Sequence, residues 1–470
     1  MKKIIVFVFI SISLLVSCRY LSEKGKQQPN IVLIIADDLG LPQVGCYGSS
    51  YYQTPNIDKL AENGVKFTNA YSAAAVCSPT RASIFTGKYP ARLHLTDFIS
   101  GNKDTTYPLI QPDWQKVLPL EELTIAEVLK QNGYKTAIFG KWHLSKSKTP
   151  PESLEYNPDK QGFNESFITY KPATNLPIGD WQKPEIDGHS VDTITNRAID
   201  FIIRNENTPF FLVISHNSIH DPLMEKKASI AKFKELESSE KKENNPIIAA
   251  MIKRLDRSVG KVFSIIEEMN LLDNTIIIFY SDNGARDTYA LQTPFRKGKG
   301  WLYEGGIRVP MIVHWKGKIS SNTEIEQMVS SIDFFPSFID VTSSNFICDS
   351  TIDGINLFPA MISNEQIGRQ SLYWNYPHYH KGSWMKPACA VRSGDFKLIE
   401  WYEQKLIDKK GVYELYNLKD DPGEENNLAE LMPEKLNELI GHLNKWKKDI
   451  NAQEPSINPN YTAKTKKEDN

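Results

Sequence analysis

Four short apolar runs punctuate the chain, and each ends in a cluster of polar side chains. Ile31 to Ala36 leads into Asp37-Asp38, Thr136 to Phe139 into Lys141 and His143, Phe210 to Ser215 into His216 and His220, and Thr275 to Tyr280 into Asp282-Asn283. Runs that are apolar at every position predict strands buried on both faces. Val309 to Val313 predicts a further strand. Elsewhere the apolar residues recur at three- and four-residue steps, which predicts helices over Glu121 to Gln131 and over about Asn245 to Leu272. Strands alternating with helices predict the α/β class, with a large, mainly parallel central sheet flanked by helices. Ligands bind beyond the carboxyl ends of such strands, so the four polar clusters are expected to converge on one edge.

From about Phe358 the pattern changes to short, aromatic-rich runs, including Ala390-Val391-Arg392, Phe396 to Trp401 and Val412 to Leu418, followed by an amphipathic helix from Pro433 to Ile450. This predicts a main domain over 29–357, a smaller C-terminal α+β subdomain with an antiparallel sheet over 358–455, and a flexible tail over 456–470.

The beginning of the chain reads differently again. Lys2 and Lys3 precede an apolar run from Ile4 to Val16, long enough for the core of an export signal and too short to span a bilayer comfortably. Leu15-Val16-Ser17-Cys18 resembles the bacterial lipobox, so residues 1–17 are expected to be a lipoprotein signal peptide, Cys18 to carry lipid, and 18–28 to be a tether. The expected place is the periplasm or outer membrane of a bacterium, held to the membrane by the N-terminal lipid.

Composition narrows the partners. Of 470 residues, 40% are hydrophobic, enough for a large core, and 55 Lys and Arg stand against 57 Asp and Glu. A formal net charge of -2 offers no long-range attraction for nucleic acid, so an anionic substrate must be held locally. An exported chain with five cysteines could form disulfides, and Cys348 with Cys389 is one pairing, although spacing alone does not fix its geometry.

The chemistry is concentrated around Cys77-Ser78-Pro79-Thr80-Arg81, continued by Ala82-Ser83-Ile84-Phe85-Thr86-Gly87. Pro79 suits the first turn of a helix, which places Cys77 near backbone amides that favour an anion. Asp37, Asp38, Asp282 and Asn283 supply only oxygen ligands, a set that suits a hard cation such as calcium, or magnesium, better than zinc.

With its C-x-P-x-R segment, Gly140-Lys141-Trp142-His143 and the stretch Arg296 to Pro310, the chain resembles the formylglycine-dependent sulfatases of the alkaline phosphatase superfamily. The resemblance implies that a separate maturation enzyme oxidises Cys77 to formylglycine, whose hydrated aldehyde offers two hydroxyls. One attacks sulfur and the other later expels sulfate. It further implies that Asp37, Asp38, Asp282 and Asn283, with the modified Cys77, hold one calcium ion. Arg81 would steady the nucleophile's oxyanion, Lys141 and Lys299 would bind sulfate, His143 would steady the formylglycine, and His220 would be the general acid. His216 and Lys297 are the neighbours most easily mistaken for His220 and Lys299.

Substrate recognition is read from Trp374, Tyr376, His378, Tyr379, His380 and Trp384, which could present flat faces and donors to a sugar or equally pack a core. If His378 or His380 reaches the cleft, a sulfated sugar or oligosaccharide is favoured over a simple aryl sulfate. Two other readings remain at this stage: a related phosphate or phosphonate ester hydrolase, and a sulfoglycan-binding lipoprotein in which Cys77 stays unconverted.

Overall fold

The computed structural model describes residues 28–102, 104–146, 154–170, 188–344, 346–348 and 350–461. The expected signal peptide, the lipidated Cys18 and all but the last residue of the tether lie outside the described residues. No described helix is long and apolar enough to cross a membrane.

An eight-stranded sheet forms the centre. From one edge to the other its strands are Thr323–Ile325, Val65–Phe67, Met311–His314, Thr275–Ser281, Asn30–Ala36, Phe210–Ser215, Lys135–Gly140 and Glu165–Ile168. All neighbours pair in parallel except Met311–His314, which runs against both of its partners.

The Asn30–Ala36 strand shows why its sequence is apolar throughout. Ile31, Leu33 and Ile35 enter one core, with Phe85 and Phe338, while Val32, Ile34 and Ala36 enter the other, with Phe201 and Leu255. Each such side chain contributes about 1.5–3 kcal/mol when fully buried. Helices Cys77–Thr86, Ile125–Gln131 and Phe334–Val341 cover the first face, and Pro55–Glu62, Val191–Arg204 and Pro246–Glu268 cover the second.

Local chemistry sets the helix limits where periodicity alone ran long. Thr124 caps the Ile125–Gln131 helix in a reciprocal box with Glu127, so residues 121–123 stay outside it. Asn245 caps the Pro246–Glu268 helix through the amides of Ile247 and Ile248, with Pro246 at the first position. That helix stops before Asn270, which is left-handed at φ 58°.

The C-terminal subdomain has a four-stranded antiparallel sheet, Ser371–Tyr376, Ala388–Ser393, Phe396–Trp401 and Tyr413–Asn417, and the helix Pro433–Asp449. Its boundary lies later than 358, because Phe358, Ala360 and Met361 pack in the main core. Of the expected tail, residues 456–461 are described and 462–470 lie outside the described residues. Ser456–Ile457 pairs with Leu109–Ile110, and Asn458 donates to the carbonyls of Thr105 and Tyr107.

The two parts are locked by buried charge. Lys397 Nζ lies 3.0 Å from Glu304 Oε1 and 2.8 Å from Glu424 Oε1, with all three side chains fully buried. Glu304 N also donates to Glu424 Oε2 at 2.6 Å. The segment bearing Lys299 is thereby fastened to the C-terminal sheet.

Cys389 does not reach Cys348. It is buried in the second strand of that sheet, and its thiol donates to Glu400 Oε1 at 3.5 Å, whereas Cys348 is exposed.

Candidate active site

Four neighbouring parallel strands end at one edge, delivering Asp37, Lys141, His216 and Asp282 as their next residues. The turn after Lys135–Gly140 needs glycine. Gly140 has φ 115°, and a Cβ there would lie 1.8 Å from the Ser215 carbonyl oxygen. Asp38 and His143 adopt φ 64° and 60°, a conformation side chains rarely take, so surrounding contacts hold both in place.

Cys77 opens the Cys77–Thr86 helix at this edge. Val76 before it is extended and offers no side-chain cap, which leaves the first amides of the helix free for an anion. All ten residues of the helix are buried, and Cys77 is 2% exposed. Burial pushes its thiol pKa up, with Lys141 and Lys299 opposing. As an unmodified thiol it is a poor nucleophile.

The acidic groups meet around it. Ligand atoms of Asp37, Cys77 and Asp282 all lie within 4.8 Å of one another. Asp37 Oδ1 and Asn283 Oδ1 are buried and accept no hydrogen bond. Burial raises the carboxyls of Asp37 and Asp282 above the usual range. It would raise Asp38 too, yet Lys299 holds that group well below it. Buried oxygens with unused lone pairs beside a carboxylate pair fit a hard cation.

The cations are equally engaged. Lys141 Nζ donates to Asp37 Oδ2 at 2.6 Å, and Lys299 Nζ to both oxygens of Asp38 at 2.6 and 2.8 Å. Arg81 is 1% exposed. It donates to Asp282 Oδ2 at 2.9 and 2.7 Å, to the Lys141 carbonyl at 3.0 Å and to Ser215 Oγ at 2.5 Å. Four of its five N–H groups hold Asp282 and the Lys141 turn, and its charge also acts on Cys77. Three carboxylates, of Asp37, Asp38 and Asp282, balance three cations, of Lys141, Lys299 and Arg81. A divalent ion added to this set leaves an excess of positive charge for an anionic substrate.

The two histidines differ. His143 Nε2 meets the Ile99 carbonyl at 2.5 Å, and its Nδ1 is buried without a partner. Burial pushes its pKa well below 6.5, aided by Lys141. His220 Nδ1 meets the Asp221 carbonyl at 2.7 Å, while Nε2 lies 3.9 Å from Asp38 Oδ2. Burial and then Lys299 push it down to about 4. Its Nδ1 therefore keeps the proton when the ring is neutral, and proton release from Nε2 needs the imidazolium, which Asp38 and Asp221 favour.

Both residues line a cavity of about 200 Å³ with Asp37, Lys141, Phe98 and Asn217. Phe98-Ile99-Ser100, Thr169 and Asn217 were not singled out from sequence, because their loops carry no periodicity or motif. The two decoys fall away. His216 is buried against Ser258 at 3.0 Å, and exposed Lys297 lies 4.8 Å over the Trp301 ring.

Most of the expected sugar-binding cluster is core. His378 is fully buried, with Nε2 at 2.7 Å from Thr96 Oγ1 and Nδ1 at 2.8 Å from Gln111 Oε1, so it cannot touch substrate. Trp374 donates to the Ser72 carbonyl, and Tyr376 to Asp97. Both belong to the inner face of the first C-terminal strand, which sequence reading passed over as an aromatic patch. His380 approaches the site: it is 6% exposed, it feels the charges of Lys299 and Asp38, and a Cβ on Gly300 would come within 2.6 Å of its Nδ1.

Comparison with known proteins agrees with this geometry. The sulfatase family profile matches residues 29–344, and that of the N-sulphoglucosamine sulphohydrolase C-terminal region matches 296–453. Human arylsulfatase A is 31% identical, over 85% of this chain and 83% of its own. An N-acetylgalactosamine-6-O-sulfatase of Bacteroides thetaiotaomicron is 29% identical, over 91% of this chain and 96% of its own. The crystal structure of Ps i-CgsB in complex with k-i-k-neocarrahexaose superposes with a TM-score of 0.73 at 28% identity, covering 93% of this chain and 96% of that one. Members of this family generally use formylglycine and a metal ion, and the buried cluster of Asp37, Cys77 and Asp282 could hold a metal ion; the chain belongs to the sulfatase family.

Proposed function

We propose that the protein removes sulfate from a sulfated carbohydrate by cleaving the S–O bond. The observation that carries this is the placement of Cys77, within Cys-Ser-Pro-Thr-Arg, at an open helix N-terminus between the Asp37–Asp282 carboxylates and Lys141. The relatives' names favour carbohydrate as the substrate class, since they include an N-acetylgalactosamine-6-O-sulfatase and a protein crystallised with neocarrahexaose.

Formylglycine, made from Cys77 by a maturation enzyme, would supply a hydrated aldehyde: one hydroxyl would be the nucleophile that displaces the sugar oxygen from sulfur, and the other, on losing its proton, would reform the aldehyde as the C–O bond to sulfate breaks. Asp37, Asp38, Asp282 and Asn283 would hold a calcium ion beside position 77, where it supplies a Lewis acid for the sulfuryl oxygens. Lys141 and Lys299, relieved of part of their carboxylate partners, bind the sulfate group. His143 offers its unprotonated Nδ1 to a hydroxyl at position 77. His220, as imidazolium, gives its Nε2 proton to the departing sugar oxygen. His380, beside Lys299, is the residue of the aromatic cluster positioned to meet the sugar.

The start of the chain supports export by a lipoprotein signal with a lipid on Cys18, which would place the enzyme in the periplasm or on the outer membrane.

Turnover in oxygen-18 water tests the bond assignment. Label should reach inorganic sulfate over repeated turnovers through the enzyme-borne hydroxyl, and the released sugar should stay unlabelled. Label at the sugar's freed position would mean that water attacks carbon, and the reading would be withdrawn.

A further inference from the structure

A cavity of about 460 Å³ opens between the segment from Glu225 to Phe233 and the helix Pro246–Glu268. A second groove of about 440 Å³ continues along that helix to Lys261 and Glu268. The two share Asn56 and Arg257 in their walls, so they form one trough. Lys253, Arg257 and Lys261 succeed one another at four-residue steps and share one helix face, spanning about 12 Å. Lys226 and Lys232 join them from the facing segment.

Two of the three acids in the walls, Asp256 and Glu225, are already committed, and the third, Glu268, lies at the far end of the groove. Asp256 accepts from the side chain and amide of Asn56 and from the amide of Ile57. Asp192 pairs with Arg254 and Arg257, and Glu225 accepts from the Lys226 amide with Arg254 at 3.7 Å. Among the described residues, none of Lys226, Lys232, Lys253 and Lys261 has a carboxylate within salt-bridge distance. On a chain of net charge -2, six cationic side chains in these walls, Lys226, Lys232, Lys253, Arg254, Arg257 and Lys261, stand against three carboxylates, Glu225, Asp256 and Glu268, a local excess of positive charge.

Its direction is fixed by topology. The helix Pro246–Glu268 connects two parallel strands, Phe210–Ser215 and Thr275–Ser281, so it runs back from the catalytic edge to the opposite one. Lys226 follows His220 by six residues at the catalytic end, and Lys261 lies toward the far end. The only aromatic ring in the walls, Phe233, is 5% exposed, which leaves no platform for stacking bases. A concave groove without projecting apolar side chains is equally unsuited to a lipid surface.

We propose that this trough holds the trailing portion of a linear sulfated polysaccharide while one of its sulfated residues occupies the catalytic cavity, an inference that rests on the carbohydrate-sulfatase reading. Spaced lysines match a chain of repeating sulfates as point charges and demand no single sugar geometry.

The test uses the full chain carrying Cys77→Ala, with and without Lys226→Ala, Lys253→Ala and Lys261→Ala together. Retardation by dextran sulfate, against unsulfated dextran, is measured by affinity electrophoresis over a series of salt concentrations. The lysine variant should bind dextran sulfate at least about tenfold more weakly and with a shallower salt dependence. In the active background the same three changes should leave hydrolysis of a small aryl sulfate within about twofold. Unchanged retardation overturns the proposal, as does single-stranded DNA or anionic vesicles binding as tightly with the same loss in the variant. A matured enzyme that releases no sulfate from any ester would instead sink the hydrolase reading while the dextran sulfate result stood.

Discussion

His143 Nε2 and the Ile99 carbonyl oxygen lie 2.5 Å apart, and the amide of the same Ile99 donates to Ser78 Oγ at 3.0 Å. The backbone of one residue, Ile99, therefore joins the residue after Cys77 to the histidine facing it. The carbonyl can only accept, so the proton sits on Nε2 and the buried Nδ1 is left as an acceptor. Ser78 occupies a variable position of the maturation motif, so Ser78→Ala should still permit conversion of Cys77. It should cost about 1 kcal/mol of stability and lower kcat about tenfold with little change in KM, by freeing His143. Turnover normalised to formylglycine content, measured by mass spectrometry, checks this; an unchanged kcat removes Ser78 as a positioning residue.

Cys77→Ala should abolish sulfate release and leave melting within about 1 kcal/mol, because it removes only a sulfur atom from a small buried side chain. Appreciable turnover by a normally melting variant would contradict the assignment of position 77.

Asp282 answers to both Arg81 and the proposed metal. Asp282→Ala strands a buried guanidinium, at about 3–5 kcal/mol, so a fall in activity there would mix two causes. Asp282→Asn keeps the volume and an acceptor for Arg81. It should lose calcium and activity together while remaining folded, as read by metal content and circular dichroism. Full calcium content would exclude Asp282 from the ligand set.

Acid stability should report on His378. Burial pushes its pKa down to about 3, against about 6.5 in an unfolded chain. The unfolded state thus takes up the proton first, so the stability from a neutral ring is complete above about pH 6.5 and is lost as the pH falls toward 3. At pH 5 the loss is about 2 kcal/mol. His189 and His314, pushed down to about 4 by burial, act in the same direction. Melting temperature should drop between pH 7 and pH 5, and less so for His378→Gln; equal drops would show that His378 does not drive the effect.

Cys18→Ser should abolish incorporation of labelled fatty acid in the producing cell. Labelling that persists would dispose of the lipobox reading.

Those elements whose burial is uniform along their length were the ones legible in the sequence. Phe210 to Ser215 is apolar at every position because both sheet faces are covered, and its limits were read to the residue. Asp37, Asp282 and Asn283 could be placed together because parallel strands present their ends at one edge. What escaped notice depends on contacts made across the chain. Nothing local distinguishes His378, sealed by Thr96 and Gln111, from His380 beside Gly300. Similarly, the commitment of Arg81 to Asp282 and Ser215 joins residues up to 201 positions apart.

The buried trio of Lys397, Glu304 and Glu424 orders events in time. Lys299 is synthesised well before the strand that carries Lys397, so on a growing chain Glu304 has Tyr71 and Arg308 as partners before its buried lysine exists. The charge cluster that fastens the Lys299 segment to the C-terminal sheet is complete only after residue 424 has been made. A chain halted earlier would carry the Cys77 helix and the oxygen cluster without the buried lysine that ties the Lys299 segment to the C-terminal sheet.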